Sequence, residues 1–239
     1  MTGKICILST ATSKELRSCL ANVPGATIPD QGEWELLSLH SRELLLLVTG
    51  VGPVNAAGAL GRLLGAVGPV HGVVNLGIAG SFDLKTCPLA TPVVVQEEIW
   101  PEFGLLTDEG VDPCGIGFSQ GSLQGRPVFD RLALHPRTSS ATLGVSLSPG
   151  WPMATSLSVA GVTGTPELAK TRQKLDADLE NMEGFALGWT SLRFGLPFLE
   201  VRTISNRVGS RHKDDWDLKS SLAELGHVFS RMFLSTEGR

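Results

Sequence analysis

Glu183 lies in the run Glu180-Asn-Met-Glu-Gly-Phe-Ala186, just where an apolar helical face begins, so Met182, Gly184 and Phe185 surround its carboxylate. Buried acids are seldom retained without a partner. The residue either serves a ligand or stands at a helix N-terminus, where the dipole favours an acid. Glu15 poses the same choice. Thr12-Ser-Lys-Glu15 matches the capping box, in which the Glu folds back on the Thr12 N–H, yet a carboxylate can also take a proton from water within about 3 Å. Asn206 closes the strand-like run Val201-Arg-Thr-Ile-Ser-Asn206, either as turn chemistry or as an amide that reads a ligand by hydrogen bonds. Gly77-Ile-Ala-Gly80 follows another strand and is predicted to be a Gly-rich turn able to bring backbone N–H groups against a ligand. It is neither a dinucleotide fingerprint nor a Walker loop.

Other chemistries find little support. Cys6, Cys19, Cys87 and Cys114 are dispersed, with no Cys-x-x-Cys pair and no His at metal-ligand spacing, so they read as reduced packing residues and no metal is expected. His40, His71, His135 and His227 have no partnered arrangement. Twenty Lys and Arg against 24 Asp and Glu give a net charge of −4, with no basic block to neutralise a row of phosphates. Nucleic acid and anionic membrane are excluded as partners on that ground. The longest apolar stretches, Leu44–Val48 and Pro92–Val95, are strand-sized, and charged residues interrupt the N-terminus where a secretory segment would be apolar. A cytoplasmic location is expected.

The elements that must position these residues alternate. Strand patterns at Lys4–Ser9, Leu44–Val48, Val73–Leu76, Val93–Glu98, Leu157–Val162 and Phe198–Ser205 are separated by helical spacing at Thr12–Val23, Val54–Leu64, Met182–Leu192 and Asp215–Leu234. Pro53 and Thr165-Pro166-Glu167 are helix starts. A Gly- and Pro-rich stretch, 100–152, reads as an excursion from the core with a helix around Phe129–Leu134. The whole, 1–239, is expected to be one α/β domain: a three-layer α/β/α sandwich on a mixed, mostly parallel central sheet. Ligands in such sheets bind beyond the carboxyl ends of the strands, which selects Ser9–Ser13, Gly77–Ser81 and Ser205–Arg207.

In order along one chain, the strand-turn-Glu start, Asn75-Leu-Gly-Ile-Ala-Gly80, Asn181-Met-Glu-Gly184 and Arg202-Thr-Ile-Ser-Asn206 together resemble the purine nucleoside phosphorylase and nucleosidase superfamily. Within it, Arg202–Leu218 looks most like the futalosine hydrolases, which release hypoxanthine from futalosine in menaquinone biosynthesis. The resemblance implies roles residue by residue. Glu183 would bind the ribose 2′- and 3′-hydroxyls, with Met182 packed against the sugar; Glu15 falls near the position that activates the attacking water. Ile78, Ala79 and Gly80 would lie against the nucleoside, Asn206 would face the purine N7, and Thr163 would stand beside the base.

N-glycosidic cleavage passes through an oxocarbenium-like sugar, so an acid beneath the ribose stabilises charge that is larger in the transition state. Adenine-specific relatives carry Asp at the Asn206 position; an amide can donate to a 6-keto oxygen and accept from a protonated N7, which favours hypoxanthine or guanine. Asn75 stands where bacterial phosphorylases place an Arg for phosphate, and Ile78 replaces a Ser, so hydrolysis is favoured. Arg211, His212 and Lys213, in the loop beyond Asn206, are candidates for the carboxylate at the far end of futalosine's 5′ substituent, and Trp216 for an apolar wall. The resemblance implies no cofactor and a homo-oligomer with 100–152 near the interface. The rivals are a phosphorylase or nucleosidase for another purine nucleoside, such as inosine or a methylthio nucleoside, and a nucleoside-binding module without catalysis.

Overall fold

The computed structural model describes residues 5–39 and 42–234, so Lys4 and His40 lie outside the described residues. The first strand, β1 (Cys6–Thr10), runs into α1 (Ser13–Cys19) through Thr12, whose hydroxyl accepts from Glu15 N and so caps the helix. β2 (Trp34–Leu39) and β3 (Arg42–Val48) form an antiparallel pair, and α2 (Pro53–Ala66) starts with Pro53 in its first turn, where no N–H is needed. β4 (Gly72–Ser81) and β5 (Pro92–Ile99) follow.

The 100–152 stretch opens with two hairpins, β6 (Leu105–Thr107) with β7 (Gly110–Asp112) and β8 (Gly121–Leu123) with β9 (Arg126–Val128). The chain then rejoins the sheet at β10 (Arg131–Ala133), antiparallel to β5, where a helix was expected. Leu132 points inward between exposed Arg131 and Ala133, the period-2 burial of a strand. After α3 (Pro136–Leu143) come β11 (Met153–Ser158), α4 (Pro166–Gln173), β12 (Leu179–Asn181), α5 (Gly184–Arg193), β13 (Phe198–Arg207) and α6 (Leu218–Phe229).

Five of the nine pairings in the main sheet are parallel, which makes it mixed, as expected. β4 is its hub. It pairs with β1 through Gly72–Asn75, with β12 through Gly80 and Ser81, and with β13 along nearly its whole length. Because β13 also pairs with β5, β5 with β11 and β11 with β12, these five strands close into a ring on one side. Helices cover both faces: Leu16, Cys19, Leu222, Leu225 and Phe229 of α1 and α6 share one apolar layer, and Ala56, Leu60, Phe185 and Leu187 of α2 and α5 share the other. β13 serves both by alternation, sending Leu199 and Val201 to the first and Phe198 and Ile204 to the second.

Two expectations are corrected. Gly77–Gly80 is not a turn but the continuation of β4, because β13 and β12 supply its ladder bonds. Cys114 is exposed and packs no core.

Candidate active site

β1 and β4 part after the Ser9–Asn75 pair, and β12 joins that edge of β4 only at Gly80, which leaves Leu76 to Ala79 without a strand partner on that side. A cavity of about 360 Å³ opens at this split, at the three strand ends selected above: Ala11 and Thr12 after β1, Ile78–Gly80 in β4, and Ser205 and Asn206 at the end of β13. Glu15, Met182, Glu183 and Trp216 are also on its walls. The acid and the amide therefore face one space.

Glu183 precedes α5 without capping it. Asn181 Oδ1 accepts from Glu183 N and Gly184 N, each at 2.8 Å, and Ser158 Oγ accepts from Phe185 N at 2.7 Å. The leading N–H groups of Glu183, Gly184 and Phe185 are thus satisfied without the Glu183 carboxylate, which is left to the cavity. Its Oε1 accepts from Gly52 N at 3.0 Å and its Oε2 lies 3.5 Å from Arg202 Nη1. Gly52 holds φ at +93°, a conformation that glycine adopts without penalty.

Glu15 closes its capping box and also stands on the cavity wall. Oε2 accepts from Thr12 N at 2.9 Å and from Thr12 Oγ1 at 2.8 Å, closing the capping box, while Oε1 accepts at 3.0 Å from Ile78 N on the open edge of β4. That N–H would otherwise be orphaned. Burial pushes the Glu15 carboxyl above its usual range; the bonds from Thr12 and Ile78 oppose this, and the charge of Glu183 adds to it. A carboxylate so raised is a stronger base once ionised. Gly77 permits the approach, since a Cβ there would stand 2.5 Å from Arg202 Nη1 and 3.0 Å from Glu15 Oε1.

Sequence reasoning gave no role to the charges behind this surface. Arg202 is fully buried on β13; its Nε meets Glu200 Oε1 at 2.7 Å and its Nη2 donates to Asn181 Oδ1 at 3.1 Å. Oriented by its hydrogen bonds, the Asn75 amide also accepts from Arg202 Nη2 at 2.8 Å and donates to Ser9 O at 3.2 Å. Burial disfavours the guanidinium charge, but Glu200 and Glu183 outweigh it and keep Arg202 protonated. Glu98 Oε2 shares a hydrogen bond of 2.7 Å with Ser158 Oγ, and its Oε1 accepts from Asn181 Nδ2 at 2.7 Å. Burial first, then the charge of Glu200, push the Glu98 carboxyl well above the ordinary range. The available signal was two charges at i and i+2 among the apolar Phe198, Leu199 and Val201, which alternation places on one face.

These acids imply a pH dependence. A carboxyl whose pKa is raised on folding contributes stability below its unfolded value and loses it as pH rises through the folded one. Thermal stability is expected to fall as pH rises above the ordinary carboxylate range, and Glu98→Gln should flatten that fall by deleting the proton that Glu98 must hold. Calorimetry across this range checks it; an unchanged slope would exclude Glu98 as a contributor.

At the far end of β13 the register with β4 slips between Ile204 and Asn206. This bulge leaves Ser205 and Asn206 both on the cavity wall, as bulges re-aim side chains. Asn206 Oδ1 accepts from Ser205 Oγ at 2.8 Å, Nδ2 donates to Arg207 O at 3.1 Å, and the amide presses on Gly80, where a Cβ would come within 3.0 Å of Nδ2. Thr163 and Arg211 do not line the cavity. Thr163 instead binds the carboxylate of Glu180, which does, and Arg172 donates to both residues. Arg211 lies over the ring of Trp216, its guanidinium carbon 5.7 Å from the ring centroid. Among the described residues no cluster of His, Cys, Asp and Glu is arranged to hold a metal ion, and no helix is long and apolar enough to cross a membrane.

A sheet split gathers two buried carboxylates, an amide and glycine-lined backbone around one cavity, an arrangement with the size and polar groups to take a small polar ligand. The chain belongs to the phosphorylase superfamily, whose family model matches residues 5–233. It is 36% identical to the futalosine hydrolase of Thermus thermophilus over 84% of this chain and 85% of that one. It is also 28% identical to the futalosine hydrolase of Acidothermus cellulolyticus, over 95% of this chain and 89% of that one. In structure it resembles the 5′-methylthioadenosine/S-adenosylhomocysteine nucleosidase of Helicobacter pylori, with a TM-score of 0.74 at 16% identity over 95% and 96% of the two chains. The resemblance drawn from the four sequence segments, and its leaning toward the futalosine hydrolases, is borne out.

Proposed function

We propose that this protein hydrolyses the N-glycosidic bond of a 6-oxopurine nucleoside, futalosine, releasing hypoxanthine. The observation that carries the reading is the single cavity shared by Glu15, Glu183 and Asn206. Glu183 lies under the ribose, accepts from its hydroxyls and stabilises the oxocarbenium-like sugar; Glu15, ionised, takes the proton of the attacking water. Met182 packs on the sugar, and Ile78, Ala79 and Gly80 form the surface against which the nucleoside lies. Thr163 contributes to the base end through Glu180. Lys14 on the cavity wall and Arg211 over Trp216 are the cations to which we assign the anionic end of the 5′ substituent.

Water is supported over phosphate as the nucleophile. Asn75 is buried away from the cavity, and Arg202, the cation behind the site, is already held by Glu200 and Asn181, so a phosphate would meet two carboxylates. Purified protein given futalosine, inosine or methylthioadenosine, with and without phosphate, should release hypoxanthine from futalosine at a rate independent of phosphate. Strict phosphate dependence would overturn the reading.

The base is the subject of a second expectation. Asp at position 206 replaces a donor with an acceptor opposite the 6-keto oxygen, and a mispaired polar group in a desolvated site costs about 1–3 kcal/mol. Asn206→Asp should therefore lower the kcat/KM ratio of hypoxanthine to adenine nucleosides about 10- to 100-fold. An unaltered ratio would mean that the amide does not read the purine.

The chain as a whole forms the catalytic unit in this reading, with no cofactor. We place it in the cytoplasm and as a homo-oligomer that uses the 100–152 stretch, where Leu106 and Phe118 are 80% and 76% exposed. Light scattering that returned only the 25.3 kDa monomer at micromolar concentration would refute the assembly.

A further inference from the structure

Glu98, Glu200 and Arg202 lie buried behind the cavity and line none of it. Gly184, the first residue of α5, measures how closely the two acids converge: a Cβ there would collide with Oε1 of both Glu98 and Glu200. Carboxylates this close do not both stay ionised. Glu200 also has an Oε2 without a hydrogen-bond partner among the described residues.

The contacts of Arg202 are lopsided. Its short ion pair, 2.7 Å, goes to Glu200, while Glu183 receives 3.5 Å. The remaining donors are drawn to Asn181, Asn75 and, at 3.4 Å, Ile78 O. We propose that Glu200, ionised while Glu98 carries the proton, is a positioning residue that draws Arg202 away from Glu183 and so preserves the charge of Glu183 for the sugar. The proposal rests on the reading of Glu183 as the ribose-side carboxylate. Burial raises both carboxyls, but the charge of Glu200 lifts Glu98 further, whereas Arg202, 2.7 Å from Glu200, opposes the rise there; this assigns the proton to Glu98. A tight Arg202–Glu183 pair would cancel charge that is needed most in the transition state.

Glu200→Gln keeps the size and an acceptor but removes the competing charge. In the crystal structure of this variant Arg202 should close on Glu183 to about 3 Å, a normal ion-pair distance. In solution, kcat should fall about tenfold with KM within about twofold, a loss confined to the transition state. A contact still at 3.5 Å, or an unchanged kcat, would overturn the proposal. Should the variant not fold, neutron diffraction of the unaltered protein decides: deuterium on Glu98 with Glu200 bare supports the assignment, and deuterium on Glu200 overturns it. Both diffraction measurements need no substrate. An error in the functional reading would instead appear as failure of the unaltered protein to cleave 6-oxopurine nucleosides.

Discussion

Replacing Glu183 by Gln should lower kcat for futalosine about a thousandfold while KM changes by less than about threefold, the scale set by removing one preorganised electrostatic group. The substitution is nearly isosteric. Gln retains an oxygen to accept from Gly52 N, now at 3.0 Å, and the helix behind it is capped by Asn181 and Ser158, so α5 keeps its N-terminus. What disappears is a negative charge in a buried setting, where the 6% exposure of the side chain leaves little solvent screening. That charge interacts more strongly with an oxocarbenium-like sugar than with the neutral ribose, so the loss belongs in kcat. Steady-state kinetics with hypoxanthine release as the readout tests it. If KM rose in proportion instead, Glu183 would be a ground-state binding residue, and the mechanism would fail.

Glu15→Gln should reduce kcat by about a hundred- to ten-thousandfold, the usual contribution of a general base. Its stability cost should be far smaller. Gln is the other residue that capping boxes accept at this position, and loss of part of the network with Thr12 and Ile78 amounts to about 1 kcal/mol. The variant thereby separates the two duties of one side chain. Its pH profile is equally diagnostic. Because burial raises the Glu15 carboxyl, the base is protonated as pH falls through a value above the ordinary carboxylate range, and kcat/KM of the unaltered enzyme should decline there. The Gln variant should lack that acid limb. An identical limb in both proteins would assign it to another group and remove Glu15 as the base.

Much of this site was legible because its signals are local. The Thr12–Glu15 spacing announced a capping box, Thr165-Pro166 a helix start, and the apolar runs their strands, each within a few residues. Short or weakly patterned pieces were not: β12 has three residues, β2 is half exposed, and β10 sits among Gly and Pro. Gly77–Gly80 misled for a related reason. Paired glycines suggest a turn, but here the missing Cβ atoms make room for Glu15, Arg202 and Asn206 against a strand whose partners come from distant parts of the chain.

The amino-acid order by itself determined which groups are available: two acids in apolar settings, an amide at a strand end, and the alternation that builds an α/β sheet. Those properties follow from neighbours within a turn of helix or one strand. Only the tertiary structure decided that β1 and β4 part beside Glu15, that a bulge turns Asn206 into the cavity, and that Arg202 leans on Glu200 rather than Glu183. Each depends on pairing or burial between segments far apart in sequence, where desolvation and charge are set by whatever the fold brings near.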